Sequence, residues 1–206
     1  MAVFAACRRL ALSMLAALLL APATIEAATA DGPSGFIQDL GDKAVVIIND
    51  HALSNTESRA KFAALFDASF DVPGIGRYVL GHYWDSASDQ ERGEYLGLFR
   101  RYIVTLYSGR FAAYSGEKFH VRDAHEDGET TTVASDLEGG ANGQATHIDW
   151  LVRNTPQGYR IGDVVLDQVS LEAAQRAEFT SIIVHGDGSI ETLIAALRDK
   201  LSHPQD

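Results

Sequence analysis

Cysteine is almost absent from this chain of 206 residues. The single cysteine, Cys7, lies within the first thirty positions. A protein that has lost this stretch contains no thiol, so a disulfide framework and a thiolate metal site are both excluded for it.

Long apolar runs are also lacking, apart from residues 10–21. This run is about a dozen residues long, whereas a membrane-spanning helix needs about 20. Arg8 and Arg9 precede it, Pro22 follows it, and residues 28–30 place small side chains where a signal peptidase reads them. The pattern predicts a secretion signal over residues 1–30, cleaved after Ala30, with an uncleaved membrane anchor as the alternative.

Positive charge is scarce, since 17 Lys and Arg side chains face 28 Asp and Glu side chains. Removal of residues 1–30 leaves 15 positive and 27 negative side chains, a net charge of −12 on residues 31–206. Such an acidic chain does not suit nucleic acid or anionic membrane surfaces. Its 176 residues are enough for a single domain with a sizeable core.

The apolar residues change their spacing near position 115. The first part follows the helical period, the middle alternates with a period of two, and the last part is helical again. In the third alternating segment Ile148, Trp150 and Val152 share one face, whereas the other face has His147, Asp149 and Arg153. We therefore predict an α+β fold with a curved, antiparallel, four-stranded sheet and helices on its concave face. The predicted segments are helices at 36–50, 54–70, 78–83, 88–114, 170–184 and 189–201, and strands at 118–125, 130–137, 145–153 and 159–167.

Catalytic and metal-binding motifs are missing. No two of the seven histidines stand four residues apart, and the glycine-rich segment 139–143 separates two predicted strands rather than opening a helix. Asp163 alternates with Ile161 and Val165, which predicts an inward carboxylate. It is either a general base in an apolar pocket or a partner for a backbone amide or an arginine.

Aromatic residues, in contrast, are dense in the predicted helices. They either form an ordinary core or surround a cavity in which acyl chains are sheltered from water. They are Phe62, Phe66, Phe70, Tyr78, Tyr83, Trp84, Phe99, Tyr102, Tyr107 and Phe111.

Several segments taken in order resemble the MlaC family of periplasmic phospholipid-binding proteins. The resemblance extends from about Phe36 to Leu201. It is carried by FDVP at 70–73, IGRYVLG at 75–81, YW at 83–84, YSG at 114–116, IDW at 148–150, DVVLDQVSL at 163–171 and QRAEF at 175–179. Gly162 is a departure, because a larger residue is expected there in relatives.

The resemblance implies an NTF2-like sheet with a helical lobe and an apolar pocket between them. It implies a periplasmic, monomeric lipid carrier without catalytic residues or cofactor, which contributes to outer-membrane lipid asymmetry. Its expected partners are a diacyl phospholipid, an inner-membrane ABC transporter with an MCE-domain ring, and an outer-membrane lipoprotein complex. The alternatives are a hopanoid or sterol carrier of the same family, or an NTF2-like enzyme with Asp163 as its base.

Inward positions of the predicted sheet and helices are the candidates for the lipid-binding pocket, with Tyr107 or Tyr114 at its mouth. They are Phe66, Phe70, Val79, Tyr83, Phe99, Tyr102, Ile103, Tyr107, Tyr114, Ile148, Trp150 and Val165.

We expect the exported protein to begin at Asp31, because cleavage after Ala30 fits the small residues at that site. Intact-mass measurement and N-terminal sequencing of the exported protein check this. A mass that still includes residues 1–30 would support the membrane-anchor alternative.

Overall fold

The computed structural model describes residues 32–111, 118–139 and 145–203. The predicted secretion signal and Tyr114 lie outside these ranges. Within them, no helix is long and apolar enough to cross a membrane.

The described ranges contain seven helices and five strands. The helices are α1 Gly32–Asn49, α2 Asn55–Ser69, α3 Val72–Leu80, α4 Tyr83–Ser86, α5 Asp89–Phe111, α6 Leu171–His185 and α7 Ile190–Ser202. The strands are β1 Lys118–Asp127, β2 Thr130–Glu138, β3 Thr146–Thr155, β4 Gly158–Leu166 and β5 Val169–Ser170.

Short polar motifs fix where the helices of the first half begin. The Ser88 hydroxyl accepts a hydrogen bond from the Glu91 amide (3.3 Å), and the Glu91 carboxylate accepts one from the Ser88 amide (2.7 Å). This reciprocal pair satisfies two amides that the first turn of α5 leaves without helical partners. Ser54 and Glu57 do the same for α2.

The strands form one antiparallel sheet in the order β1-β2-β3-β4-β5. The predicted α+β class is confirmed, but the predicted number of strands is wrong, since the sheet has five strands and not four. The additional strand, β5, is only two residues long and pairs with Val165 and Leu166 at the end of β4. A segment this short shows no alternation from which a strand could be predicted.

A bulge at Gly162 changes the alternation of β4. Leu151 pairs with Asp163, whereas the next residue of β3, Val152, pairs with Ile161. Gly162 is thus the extra residue, as is common where a glycine interrupts a strand. The predicted common face for Ile161, Asp163 and Val165 is therefore wrong.

The apolar side chains gather into two separate clusters. The helical core lies among α3, α5, α6 and α7, and the sheet core lies between α1 and the inner face of the sheet. The largest members of the helical core are Tyr95, Phe99, Phe179, Leu80, Ile183, Leu193 and Leu197. The buried members of the sheet core are Ile37, Leu40, Val133, Val152 and Ile161.

The close approach of α1 to the sheet depends on a glycine. A β-carbon placed on Gly41 would lie 2.4 Å from the ring of Phe119 in β1. Since the Phe119 ring also packs edge-on against Trp150, with ring centroids 6.2 Å apart, it has little freedom to move away.

We expect Gly41→Ala to lower the free energy of unfolding by about 1–3 kcal/mol, because the added methyl group overpacks this contact. Urea denaturation measures the effect. Gly93→Ala is the matched control in α5, where no atom lies within 4 Å of the added carbon. That change should stabilise the protein by about 0.5–1 kcal/mol. Equal effects of the two substitutions would contradict the assigned contact.

Candidate functional site

A cavity of about 450 Å³ separates the helical core from the sheet core. Val79 and Phe99 of the helical core line one side, and Leu40 of the sheet core lines the other. Its volume is within the range of about 300–1,000 Å³ that is usual for small-molecule sites. The two clusters therefore do not merge into one core, and the space between them is enclosed mainly by apolar side chains.

The sheet forms one wall of the cavity, and the polar groups around Trp150 at the centre of that wall are hydrogen-bonded to each other. Trp150 in β3 donates its indole N–H to the Ser135 hydroxyl at 2.8 Å. That hydroxyl in turn donates to the Ile148 carbonyl at 3.3 Å. Since its only polar group is satisfied within the sheet, the Trp150 ring presents an apolar surface to the cavity.

The helices contribute a largely aromatic and aliphatic wall. Phe66 near the end of α2 stacks on Phe70, with ring centroids 4.6 Å apart. Val79 of α3 and Phe99 and Ile103 of α5 continue this wall toward the helical core. The helical core packs behind this part of the wall, since Val79 and Phe99 are each only 1% exposed.

The structure places most of the predicted pocket residues around the cavity. Tyr83, Tyr102 and Val165 do not line it, and Tyr114 is outside the described ranges. The eight predicted residues that line it are Phe66, Phe70, Val79, Phe99, Ile103, Tyr107, Ile148 and Trp150. Their contact with a ligand stays a prediction.

The packing of the helices and the register of the sheet explain why the other three residues do not line the cavity. Tyr83 and Tyr102 pack against the outer parts of the helical core, where the Tyr102 ring lies 5.9 Å from that of Phe179. Val165 pairs with Asp149, on the sheet face opposite to Trp150, because the bulge at Gly162 shifts the alternation. Val164 and Leu166 line the cavity instead.

Sequence reasoning missed the part of the cavity wall that α1 forms. The helical period of α1 was evident, but nothing in it distinguished a cavity wall from an ordinary core face. The residues of α1 that line the cavity are Leu40, Gly41, Ala44, Val45 and Ile48. The glycine within β4 was the available signal for the bulge that exposes Val164.

One corner of the cavity is polar. It lies where β4 meets the first turns of α6, and it contains Asp163, Glu172 and Gln175. Gln175 is 8% exposed and donates a hydrogen bond to Glu178 at 2.9 Å. The rest of the described lining has no charged or amide side chain.

Both carboxylate oxygens of Asp163 are engaged in joining the sheet to α6. One carboxylate oxygen accepts the amides of Val164 (2.7 Å) and Glu172 (3.0 Å), and the other accepts the Ser170 hydroxyl (2.5 Å). With 6% exposure, this carboxylate is buried and hydrogen-bonded. The geometry agrees with the second interpretation of Asp163, as a partner for backbone amides.

Glu172 differs from Asp163, because no hydrogen bond or ion pair holds its carboxylate among the described residues. Burial, the largest cause, and the neighbouring Asp163 charge raise the pKa of Glu172, whereas Arg153 and Arg176 lower it, and the net result is a pKa of about 7. At neutral pH the cavity therefore contains a carboxyl group that is divided between its neutral and charged forms.

No group of three or more His, Cys, Asp or Glu side chains in the described ranges is placed to hold a metal ion. His147 contacts Asp136 (2.9 Å) and Asp149 (3.1 Å), and this cluster lies on the sheet face away from the cavity.

Comparison with known proteins gives a family. The family model described as MlaC protein matches residues 38–199. The chain belongs to the MlaC family. The predicted resemblance is confirmed. The matched residues begin within α1, end within α7, and include every described helix and strand between them.

A solved structure shares this MlaC fold. It is the phospholipid-binding protein from Ralstonia solanacearum in complex with a phospholipid. The match has a TM-score of 0.72 at 16% sequence identity and covers 82% of this chain and 97% of that chain. No curated protein matches this chain.

The raised pKa of Glu172 has a consequence for stability. The folded protein holds this proton up to about pH 7, whereas an unfolded glutamate loses it near its ordinary value of 4.5. The contribution to stability is therefore fully present below about pH 4.5 and is lost as the pH rises through about 7. We expect Glu172→Gln to raise the free energy of unfolding relative to wild type at pH 8 more than at pH 5.

Urea denaturation at the two pH values measures this difference. Glu191→Gln is the matched control, since Glu191 occupies the same position of α7 as Glu172 does of α6 but is exposed. An equal change at both pH values for Glu172→Gln would contradict the assigned burial effect.

Proposed function

We propose that this protein is a periplasmic lipid carrier, which shelters an acyl chain of its ligand from water in the cavity between its two cores. The observation that supports it most directly is an apolar cavity of about 450 Å³ within a member of the MlaC family. An empty apolar space forgoes packing contacts, and a bound acyl chain would restore them.

The amount of chain that fits can be estimated from volume. An apolar protein cavity of about 150 Å³ binds benzene, so about 450 Å³ has room for about 18 carbon atoms. Burial of about 0.8 kcal/mol for each methylene group then stabilises one long acyl chain by more than 10 kcal/mol before ordering costs. We therefore propose that at least one acyl chain of the ligand lies inside the cavity.

The phospholipid class is supported by the Ralstonia solanacearum protein, which shares the fold and was solved with a phospholipid bound. A hopanoid or sterol is the alternative cargo. The sheet and the helical wall would be the same for either cargo. The two are therefore distinguished by identifying the lipid that is extracted from the protein.

Binding and transport, rather than catalysis, are supported by the hydrogen bonds of Asp163. A general base needs a free lone pair directed at its substrate. The Asp163 oxygens instead accept two amides and a hydroxyl that hold α6 against β4. Three of the four lone pairs of this carboxylate are therefore occupied, and with 6% exposure Asp163 offers little access to a substrate proton.

The proposed pathway is the one that membership of the MlaC family implies for an exported protein. With the signal over residues 1–30 removed, a monomeric carrier moves lipid between an inner-membrane ABC transporter with its MCE ring and an outer-membrane lipoprotein complex. The acidic balance of residues 31–206 supports a carrier that does not adhere to anionic membrane surfaces.

A charge within the cavity should abolish lipid retention. Ile103 lines the cavity and is only partly buried, so Ile103→Glu places a carboxylate beside the acyl chain. We expect retained lipid to fall at least about tenfold, because an unpaired charge in apolar surroundings costs several kcal/mol. Lipid extraction and mass spectrometry of the purified protein measure this loss.

Two further variants make the result interpretable. Val184→Glu is the control on the exposed face of α6, where Val184 is 60% exposed, and it should retain lipid as wild type does. Ala44→Phe fills the cavity from α1 without adding charge and should also reduce retention. Unchanged retention in both cavity variants, with cooperative unfolding preserved, would refute the proposed function.

A further inference from the structure

The cavity is elongated, because helices line it over several successive turns. In both α1 and α5, every fourth residue of one face reaches the cavity, over about 12 Å of helix. These residues are Leu40, Ala44 and Ile48 in α1, and Phe99, Ile103 and Tyr107 in α5. An elongated apolar space suits an extended acyl chain, and its two ends then contact different parts of that chain.

One end of the cavity lies where α1 ends and α2 has begun. Nζ of Lys61 in α2 lies 3.6 Å from Oδ2 of Asp50, the residue that follows α1. This contact places Phe62, the neighbour of Lys61, beside the last turn of α1, which contains Ile48. Phe62 and Ile48 both line the cavity and are partly exposed. The side chains at this open end are thus accessible to solvent, as an entrance requires.

The other end lies deeper in the molecule. Arg100 of α5 donates two hydrogen bonds to the Asp67 carboxylate of α2, at 2.6 and 2.5 Å. Their neighbours Phe99 and Phe66 therefore lie at the same level, and in α2 this level is one turn beyond Phe62. Phe99 and Phe66 are buried, with 1% and 6% exposure. Along both helices, the buried lining residues thus mark the same deep end.

The corner between α2 and α3 closes this deep end. At the corner, the Asp71 amide donates to the Ile161 carbonyl of β4 at 2.9 Å. Ile75 follows in α3, lines the cavity, and packs against the helical core. Gly76 brings α3 close to α5, because a β-carbon placed on it would lie 2.6 Å from Leu96. The backbone that carries Ile75 is therefore held on both sides, by the sheet and by α5.

We propose that Ile75 is a specificity-determining residue, whose side chain sets the length of acyl chain that the cavity accepts. The inference rests on the proposed function, because it assumes that an acyl chain enters the cavity with its methyl end first and its headgroup left at the open end. A chain that fits places its methylene groups among apolar side chains. A longer chain stops at Ile75, and two methylene groups left in water weaken its binding by about tenfold.

The size of the side chain at position 75 should then shift the preferred length in either direction. Ile75→Ala removes about three carbon atoms from the wall, and Ile75→Phe adds about three. Because the surrounding side chains relax partly, we expect the preferred acyl chain to become about two carbon atoms longer in Ile75→Ala and about two shorter in Ile75→Phe. Shifts of opposite sign distinguish a limit on length from general damage to the cavity.

The test is a competition among lipids that share one headgroup. Delipidated protein lacking residues 1–30 is incubated with mixed vesicles of phosphatidylethanolamines whose two saturated acyl chains are identical, with lengths from about 10 to about 20 carbon atoms. The bound lipids are extracted and quantified by mass spectrometry. Division by the wild-type distribution cancels differences in how readily each lipid leaves the vesicle. At the upper limit of length, relative loading should rise about tenfold in Ile75→Ala and fall about tenfold in Ile75→Phe.

Two control variants assign the effect to the deep end. Val184→Phe adds similar bulk on the exposed face of α6, where Val184 is 60% exposed, and it should match wild type. Ile48→Phe adds bulk at the open end of the cavity. It should lower total loading without shifting the preferred chain length, because the methyl end of the chain does not reach this position.

Cooperative unfolding in urea shows which variants are folded. An unchanged length distribution in either Ile75 variant that unfolds cooperatively would overturn the inference, while loading of wild type still supports a lipid carrier. A shortened preference in Ile48→Phe, with none in the Ile75 variants, would also overturn it, since the chain would then enter from the polar corner. If wild type loads no lipid of any length, the proposed function fails and the inference fails with it.

Discussion

Two sets of apolar side chains in this protein bury themselves against different partners, and the rest of the structure depends on their separation. Tyr95, Phe99 and Phe179 pack among helices, with the Tyr95 hydroxyl donating to the Gly76 carbonyl at 3.0 Å. Val133 and Val152 pack under α1. Each cluster packs its side chains among its own elements, and the apolar cavity lies between the two.

The separation is maintained where the sheet meets the helices. Asp163 ties β4 to the first turn of α6, and the Asp71 amide donates to the Ile161 carbonyl at 2.9 Å on the same strand. These polar links fix the distance between the two clusters without filling the space between them. They also place Glu172 at the cavity wall, so the same joint that maintains the cavity determines its polar corner.

The fold could be predicted from local signals, whereas the cavity could not. Capping residues such as Ser88 and Glu91, and the alternation around Trp150, are encoded within a few neighbouring residues and were recognised. The cavity wall that α1 forms could not be recognised, because periodicity shows which face of a helix is apolar but not what lies against that face. The bulge at Gly162 moved Val165 off the cavity and brought Val164 onto it, since one inserted residue reverses the alternation that follows.

The most direct test of the central claim is native mass spectrometry of the protein purified from the cells that naturally produce it, with lipid extraction from the same sample. We predict a mass excess equal to one phospholipid, and the extracted species would also show how many acyl chains the protein carries. A protein that is empty as purified and takes up no lipid from vesicles would contradict the claim that the cavity holds acyl chains.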